Sequence, residues 1–162
     1  FGSVLPIDQA INANMLEFIP KTDKSVNAWS EIITIQKYID LTLEKAKTEG
    51  YVETYYGRRR PTPDVNSSNF IVREAARRQA ANMPIQGTEA DLMKLAMLKI
   101  DEKIKHLGEQ ILQVHDSVLV ECPKEHAEEV AETLRSVMES VAPELPIKLQ
   151  VDVNVGDNWG EL

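Results

Sequence analysis

The chain has 162 residues, a formal net charge of -8, 43% hydrophobic and 27% charged residues, which suits one globular domain or part of a larger protein. No apolar run approaches the ~20 residues of a membrane span, and no charged-then-apolar leader opens the chain. The single cysteine, Cys122, excludes an internal disulfide and fits a reducing compartment. At the end of a strand-like run it reads as a buried structural thiol.

In chain order, residues 7–19 are expected to form a short helix. Val26, Trp29, Ile32, Ile33, Gln36, Ile39, Leu43 and Ala46 then recur at helical spacing, and Gly50 supplies a stop, so an amphipathic helix of about 25 residues is predicted. Tyr51 to Tyr56 alternate and favour a strand. Residues 57–69 read as a loop, and a helix follows over 70–82. Pro84 removes one helical hydrogen bond, so it either starts a new helix or kinks the old one. The next helix runs to about His106, with Ile85, Leu92, Leu95, Ala96, Ile100 and Ile104 on its buried side, and Leu107-Gly108 closes it. Two short apolar runs, 111–114 and 117–120, form a hairpin. Lys124 to Val141 is amphipathic at helical spacing, and Ile147 to Val153 alternates as a strand.

The expected fold class is therefore α+β: a helical segment, then an antiparallel sheet with helices on one face, in the order helix, hairpin, helix, strand. The division is expected at Pro84, into residues 1–83 and 84–162. Trp29, Ile33, Ile39, Leu92, Leu95 and Val118 are candidate core residues, and Trp159 a candidate cap on the sheet.

The hairpin is the most informative feature. Only His115 and Asp116 separate its strands, where a two-residue turn normally takes Asn-Gly or Asp-Gly because its residues need positive φ. Asp is also a common turn former, so from these residues alone Asp116 is either turn punctuation or a ligand for a divalent cation such as Mg²⁺, which oxygen donors suit.

Charge is unevenly spread. Residues 57–78 carry six arginines against Asp64 and Glu74, a net of +4, whereas residues 121–162 carry ten acids and a net of -7. Arginine's planar fork of donors suits phosphates and base edges. Arg58, Arg59 and Arg60 are candidate phosphate contacts, or else belong to a plain solvated loop. Arg73 and Arg77 are equally suited to pairing with Glu74. Arg78 and Asn82 stand four apart on one helix face, which Gln86 continues.

Taken together, these segments resemble the C-terminal end of the family A DNA polymerases, the bacterial DNA polymerase I family. The resemblance is carried by Gly50-Tyr51-Val52-Glu53-Thr54, by Gly57-Arg58-Arg59-Arg60, by the run from Arg73 to Thr88, by Ala90-Asp91 with Lys94-Leu95-Ala96-Met97, by Gln113-Val114-His115-Asp116, and by the ending Val155-Gly156-Asp157-Asn158-Trp159. It covers about residues 31–162.

What the resemblance implies is a fingers/palm portion of a template-directed DNA polymerase, transferring nucleotides to a primer 3′ end with two Mg²⁺ ions. Its catalytic residues would be Asp116, which binds metal, and His115, which orients the turn or touches the primer backbone. Its DNA-binding residues would be Arg58, Arg59 and Arg60 on template phosphates, with Arg78, Asn82 and Gln86 near the primer end, where such side chains can hydrogen-bond the minor-groove acceptors shared by correct base pairs.

The implied partners are primer–template DNA, deoxynucleoside triphosphates and an upstream polymerase portion, with no membrane. That portion would supply a second metal-binding Asp and the triphosphate-binding helix, of which Phe1-Gly2 stands as a candidate remnant. The implied location is the cytoplasm, at the nucleoid, or a host cytoplasm for a phage-encoded enzyme. Where the family usually has Glu after the hairpin Asp, this chain has Ser117. The alternatives are a catalytically inactive nucleic-acid-binding module of the same fold and a plain structural α+β domain.

Overall fold

The structure is a computed structural model that describes residues 9–20, 28–145 and 147–162. Phe1-Gly2 and the side chains of Trp29 and Ile33 lie outside what it describes. The elements are β1 (Gln9–Pro20), α1 (Ala28–Glu49), β2 (Tyr51–Glu53), β3 (Arg59–Pro61), α2 (Phe70–Ile104), β4 (Glu109–Val114), β5 (Ser117–Cys122), α3 (Ala127–Glu139) and β6 (Ile147–Gly156). Short 3₁₀ turns fall at Pro63–Asn66, Lys124–His126 and Trp159–Glu161. Helices and antiparallel strands combine as the sequence predicts, in an α+β fold. The described residues form two compact units: β1 with Leu92–Leu162, and the described part of Thr22–Asp91. No helix among the described residues is long and apolar enough to cross a membrane.

The first unit is built on a four-stranded sheet in the order β4-β5-β1-β6. Strand β1 pairs antiparallel with β5 from Gln9↔Cys122 to Asn14↔Ser117, and with β6 from Ala10↔Gly156 to Pro20↔Ile147. Where the sequence suggests a helix over 7–19, the described part, from Gln9 on, is strand. The correction has a physical reason: pairing on both edges satisfies the backbone groups of β1, and Ile11 and Ala13 alternate into the core. Such tertiary pairing overrides local propensity. The same core takes Val118, Val120 and Cys122 from β5, Leu92, Ala96 and Ile100 from α2, and Leu134 and Met138 from α3. Burial pushes the Cys122 thiol pKa up, consistent with a structural role.

Helix α2 continues through Pro84 as one element. The proline removes one backbone bond, but buried Ala80 and Met83 hold the helix before it. Two expected core positions are exposed instead, Ile85 at 56% and Leu95 at 37%. Ile85 lies two residues from buried Met83, about 200° round the helix, and Leu95 lies off the four-residue row of Leu92, Ala96 and Ile100. Trp159 is exposed too, at 56%, rather than buried as a cap; its turn is closed by Asn158, whose side chain accepts from Gly160 N–H at 3.0 Å.

The second unit centres on Ala46, Val52, Val65, Ala80 and Met83. Strand β2 finds an antiparallel partner in β3, inside what the sequence suggests is loop. Lys45 donates to Glu53 beside this hairpin. That hydrogen bond, reinforced by the positive charges of Lys45 and Arg59, holds the Glu53 carboxyl below its usual value; the same bond, reinforced by the negative charge of Glu53, lifts Lys45 above its own.

Two outcomes are expected. A β-carbon on Gly108 would stand 2.6 Å from the Glu121 carbonyl oxygen and 2.8 Å from Cys122 Cβ. Gly108→Ala should therefore cost about 1–3 kcal/mol in urea unfolding, the usual penalty for forcing atoms into packed space. For Glu53, a lowered pKa contributes stability above the ordinary carboxylate range, lost as pH falls through the depressed value; for Lys45, a raised pKa contributes below the ordinary lysine value, lost as pH rises through the raised one. The stability gap between the parent and Glu53→Gln should be flat from about pH 5 to about pH 10 and shrink on either side.

Candidate functional site

The β4–β5 turn breaks a backbone rule and compensates for it. His115 has φ +52°, the one positive φ on a non-glycine residue among the described residues. Positive φ at the first central residue alone is the sign pattern of a type II′ hairpin turn, where glycine is usual. Two side chains brace it: the Gln113 amide donates to the His115 carbonyl, and the Ser117 hydroxyl donates to the Val114 carbonyl at 2.9 Å. Asp116 sits half-buried at the tip, and no other described residue hydrogen-bonds or ion-pairs with its carboxylate. The strands are in register at Val114↔Ser117 and Gln113↔Val118, with a bulge at Ile111. Because Val118 and Val120 are fully buried, the register that places Asp116 at the tip is tied to the core.

The carboxylate oxygens of Asp116 are hard donors of the type Mg²⁺ prefers. They are a partial donor set: among the described residues no three or more His, Cys, Asp or Glu side chains come together as a metal site. Strand β1 runs past the hairpin tip, with its one acid, Glu17, at the register position facing Gln150 of β6.

The second unit carries the arginine loop and the polar face of α2. Arg78, Asn82 and Gln86 are all exposed and make no side-chain hydrogen bond to another described residue. At four-residue steps they spread over about 80° of the helix. The loop arginines are engaged. Arg58 donates from Nε to Asp91 Oδ1 at 2.8 Å and from its terminal amine to the Gly87 carbonyl at 2.8 Å. Arg59 reaches Glu53 at 3.3 Å and lies over the Tyr51 ring, 4.4 Å from its centroid. Arg60 donates to Gln79 at 3.3 Å. Arg77 pairs with Glu74 at 2.8 Å, as the sequence allows. Arg58, Arg59, Arg60 and Gln86 line one shallow groove.

Sequence reasoning missed the residues that seat this loop. Thr88 Oγ1 accepts from Tyr55 N–H at 2.9 Å, and Asp91 and Gly87 receive Arg58. Gly87 and Asp91 fall inside matched motifs, yet nothing in their local pattern reveals a partner 29 and 33 residues away.

Comparison with known proteins decides the family. The model of DNA polymerase family A matches residues 24–161. The chain belongs to DNA polymerase family A. It is 49% identical over 126 residues to the thermostable DNA polymerase I of Thermus aquaticus, covering 77% of this chain and 15% of that protein. To DNA polymerase I of Deinococcus radiodurans it is 50% identical over 126 residues, covering 77% and 13%. A solved structure, the POL domain of Pol1 from M. smegmatis in complex with DNA primer-template and dNTP, aligns with TM-score 0.72 and 40% identity over 76% of this chain and 22% of that one. The chain thus spans about one seventh of the length of these polymerase I relatives. The family match takes in every candidate residue from Arg58 to Asp116 and excludes β1. A merely incidental likeness, the plain structural domain, is set aside by it.

The strained turn yields a test of which atoms of His115 matter. His115→Gly relieves a left-handed backbone that costs an L-residue roughly 1–2 kcal/mol, against glycine's greater entropy in the unfolded chain. The variant should melt no lower than the parent by calorimetry, so any accompanying loss of function belongs to the imidazole. A clearly lowered melting temperature would mean that the side chain holds the turn.

Proposed function

We propose that this chain works as the C-terminal fingers/palm portion of a template-directed DNA polymerase, which joins an incoming deoxynucleotide to a primer 3′ end. The observation that carries this reading is a carboxylate without a partner among the described residues, held at a braced hairpin tip, in a chain that matches family A over residues 24–161. A complex of the M. smegmatis Pol1 domain with DNA primer-template and dNTP supports the same partners here.

In this reading Asp116 holds Mg²⁺, which when bound supplies the positive charge that phosphoryl transfer needs as negative charge gathers on the phosphate oxygens. The chain's own contribution is to place the carboxylate on a rigid sheet. His115 shapes the turn and faces the primer backbone. Arg59 and Arg60, on the exposed strand β3, meet template phosphates by exchanging their internal partners; the exposed ion pair of Arg59 is worth about 0–1 kcal/mol, so its exchange costs little. Arg58 directly precedes that strand. Arg78, Asn82 and Gln86 present donors to the minor-groove acceptors near the primer end, checking pair geometry without reading sequence. An upstream polymerase portion supplies the second metal-binding carboxylate and the helix that grips the triphosphate. The working location is the bacterial cytoplasm.

The test joins this segment to the upstream portion of the Thermus aquaticus relative. The joined enzyme should extend a primed template with Mg²⁺, and the 162-residue chain by itself should not. Asp116→Asn in the joined enzyme should lower turnover by about a hundredfold or more, the scale on which lost transition-state stabilisation shows, while DNA affinity holds. Near-normal turnover in that variant would refute the metal assignment. A joined enzyme that binds primed DNA tightly without extending it would favour the inactive binding module.

A further inference from the structure

The arginine loop does not merely lie near α2; it is fastened there. Four observations converge on the stretch of the helix from Pro84 to Asp91. The Arg58 guanidinium bridges the Asp91 carboxylate and the Gly87 carbonyl, each at 2.8 Å. The Tyr55 backbone N–H donates to Thr88 Oγ1 at 2.9 Å, and that hydroxyl donates in turn to the Pro84 carbonyl. Gly87 is buried, and a β-carbon there would lie 2.6 Å from Thr54 Cγ2 and 3.2 Å from the Arg58 terminal amine. Thr54 itself is buried and closes the loop, accepting from Arg58 N–H at 3.1 Å. Gln86 precedes Gly87 directly, and its side chain hydrogen-bonds to no other described residue.

We infer that Arg58 is a positioning residue: with Asp91, Gly87 and Thr88 it staples the loop onto α2, and the staple sets how Gln86 is presented to DNA. Arg58 differs from its neighbours in kind. Arg59 and Arg60 each make a single side-chain hydrogen bond, at 3.3 Å on the exposed face, which a phosphate can replace. Arg58 makes two short bonds at once, one of them to a backbone carbonyl in a place where only glycine fits. Taking Arg58 for a phosphate would leave the Asp91 carboxylate, whose other oxygen is buried without a partner, uncompensated. A bidentate fork suits this two-point grip, and lysine would supply only a point charge.

The inference rests on the minor-groove reading of Gln86, so two measurements separate them. The first uses the 162-residue chain without DNA. Asp91→Asn should speed hydrogen exchange at the Tyr55 amide by about tenfold or more, the effect of about 1.4 kcal/mol, and leave Val118 in the other unit unchanged. Unaltered exchange at Tyr55 overturns the staple, whatever the DNA does.

The second uses the joined polymerase and compares extension from matched and mismatched primer ends. Arg58→Ala and Arg58→Lys should each lower the matched-to-mismatched ratio by at least about twofold, and Arg58→Ala should add nothing to Gln86→Ala, since residues acting through one another are non-additive. The salt slope of DNA affinity should be unchanged in Arg58→Ala and fall by about one in Arg59→Ala. A fall of about one for Arg58→Ala, or additive losses with Gln86→Ala, overturns the positioning role in favour of a direct phosphate contact. If Gln86→Ala itself leaves the ratio unchanged, the minor-groove reading falls, and with it the link from staple to DNA.

Discussion

The hairpin end of the sheet depends on the buried face of β5. Val118, Val120 and Cys122 are fully buried and alternate into one core. Burying each large apolar side chain stabilises by roughly 1.5–3 kcal/mol, and slipping the strand by one residue would turn all three outward. The register is therefore fixed by the core, and the position of Asp116 at the tip is fixed by the register. β1 pairs along the opposite edge of β5, making it an interior strand bonded on both sides. A hairpin tip carried on such a strand can hold a left-handed His115 because Gln113 and Ser117 supply the hydrogen bonds that keep the turn closed. Ser117 thus has local work in this chain, at the position where the family pattern places Glu.

In the other unit the governing constraint is close approach at Gly87, where no side chain fits between α2 and Thr54. It sorts a cluster of like residues into different circumstances. Arg58, Arg59 and Arg77 each meet an acid, whereas Arg60 meets only the neutral Gln79 and Arg78 meets no side chain among the described residues. A net charge of +4 over residues 57–78 therefore overstates the positive field the loop offers a phosphate. The availability of a donor, rather than the count of arginines, sets what can bind.

Much was legible in the sequence by itself. The helical periods of α1, α2 and α3, the β4–β5 hairpin and the alternation of β6 are local patterns, and the structure has them. The family could be read from motifs in order. Asp116 was legible as a carboxylate where a hairpin wants glycine, and Arg78, Asn82 and Gln86 as a polar row on one helix, which is exposed. Tertiary structure decided the rest. β1 reads locally as a short helix and becomes a strand because β5 and β6 offer it two edges. β3 emerges from apparent loop because β2 lies opposite. Leu95 and Ile85 have the hydrophobicity of core residues but face away from the packed rows. Arg58 reads as one of three alike until Asp91, 33 residues on, comes within 2.8 Å. Backbone periodicity and turn chemistry act over a few residues and are written in order along the chain. Edge pairing, the facing of a helix and the partner of a charge depend on segments that only folding brings together.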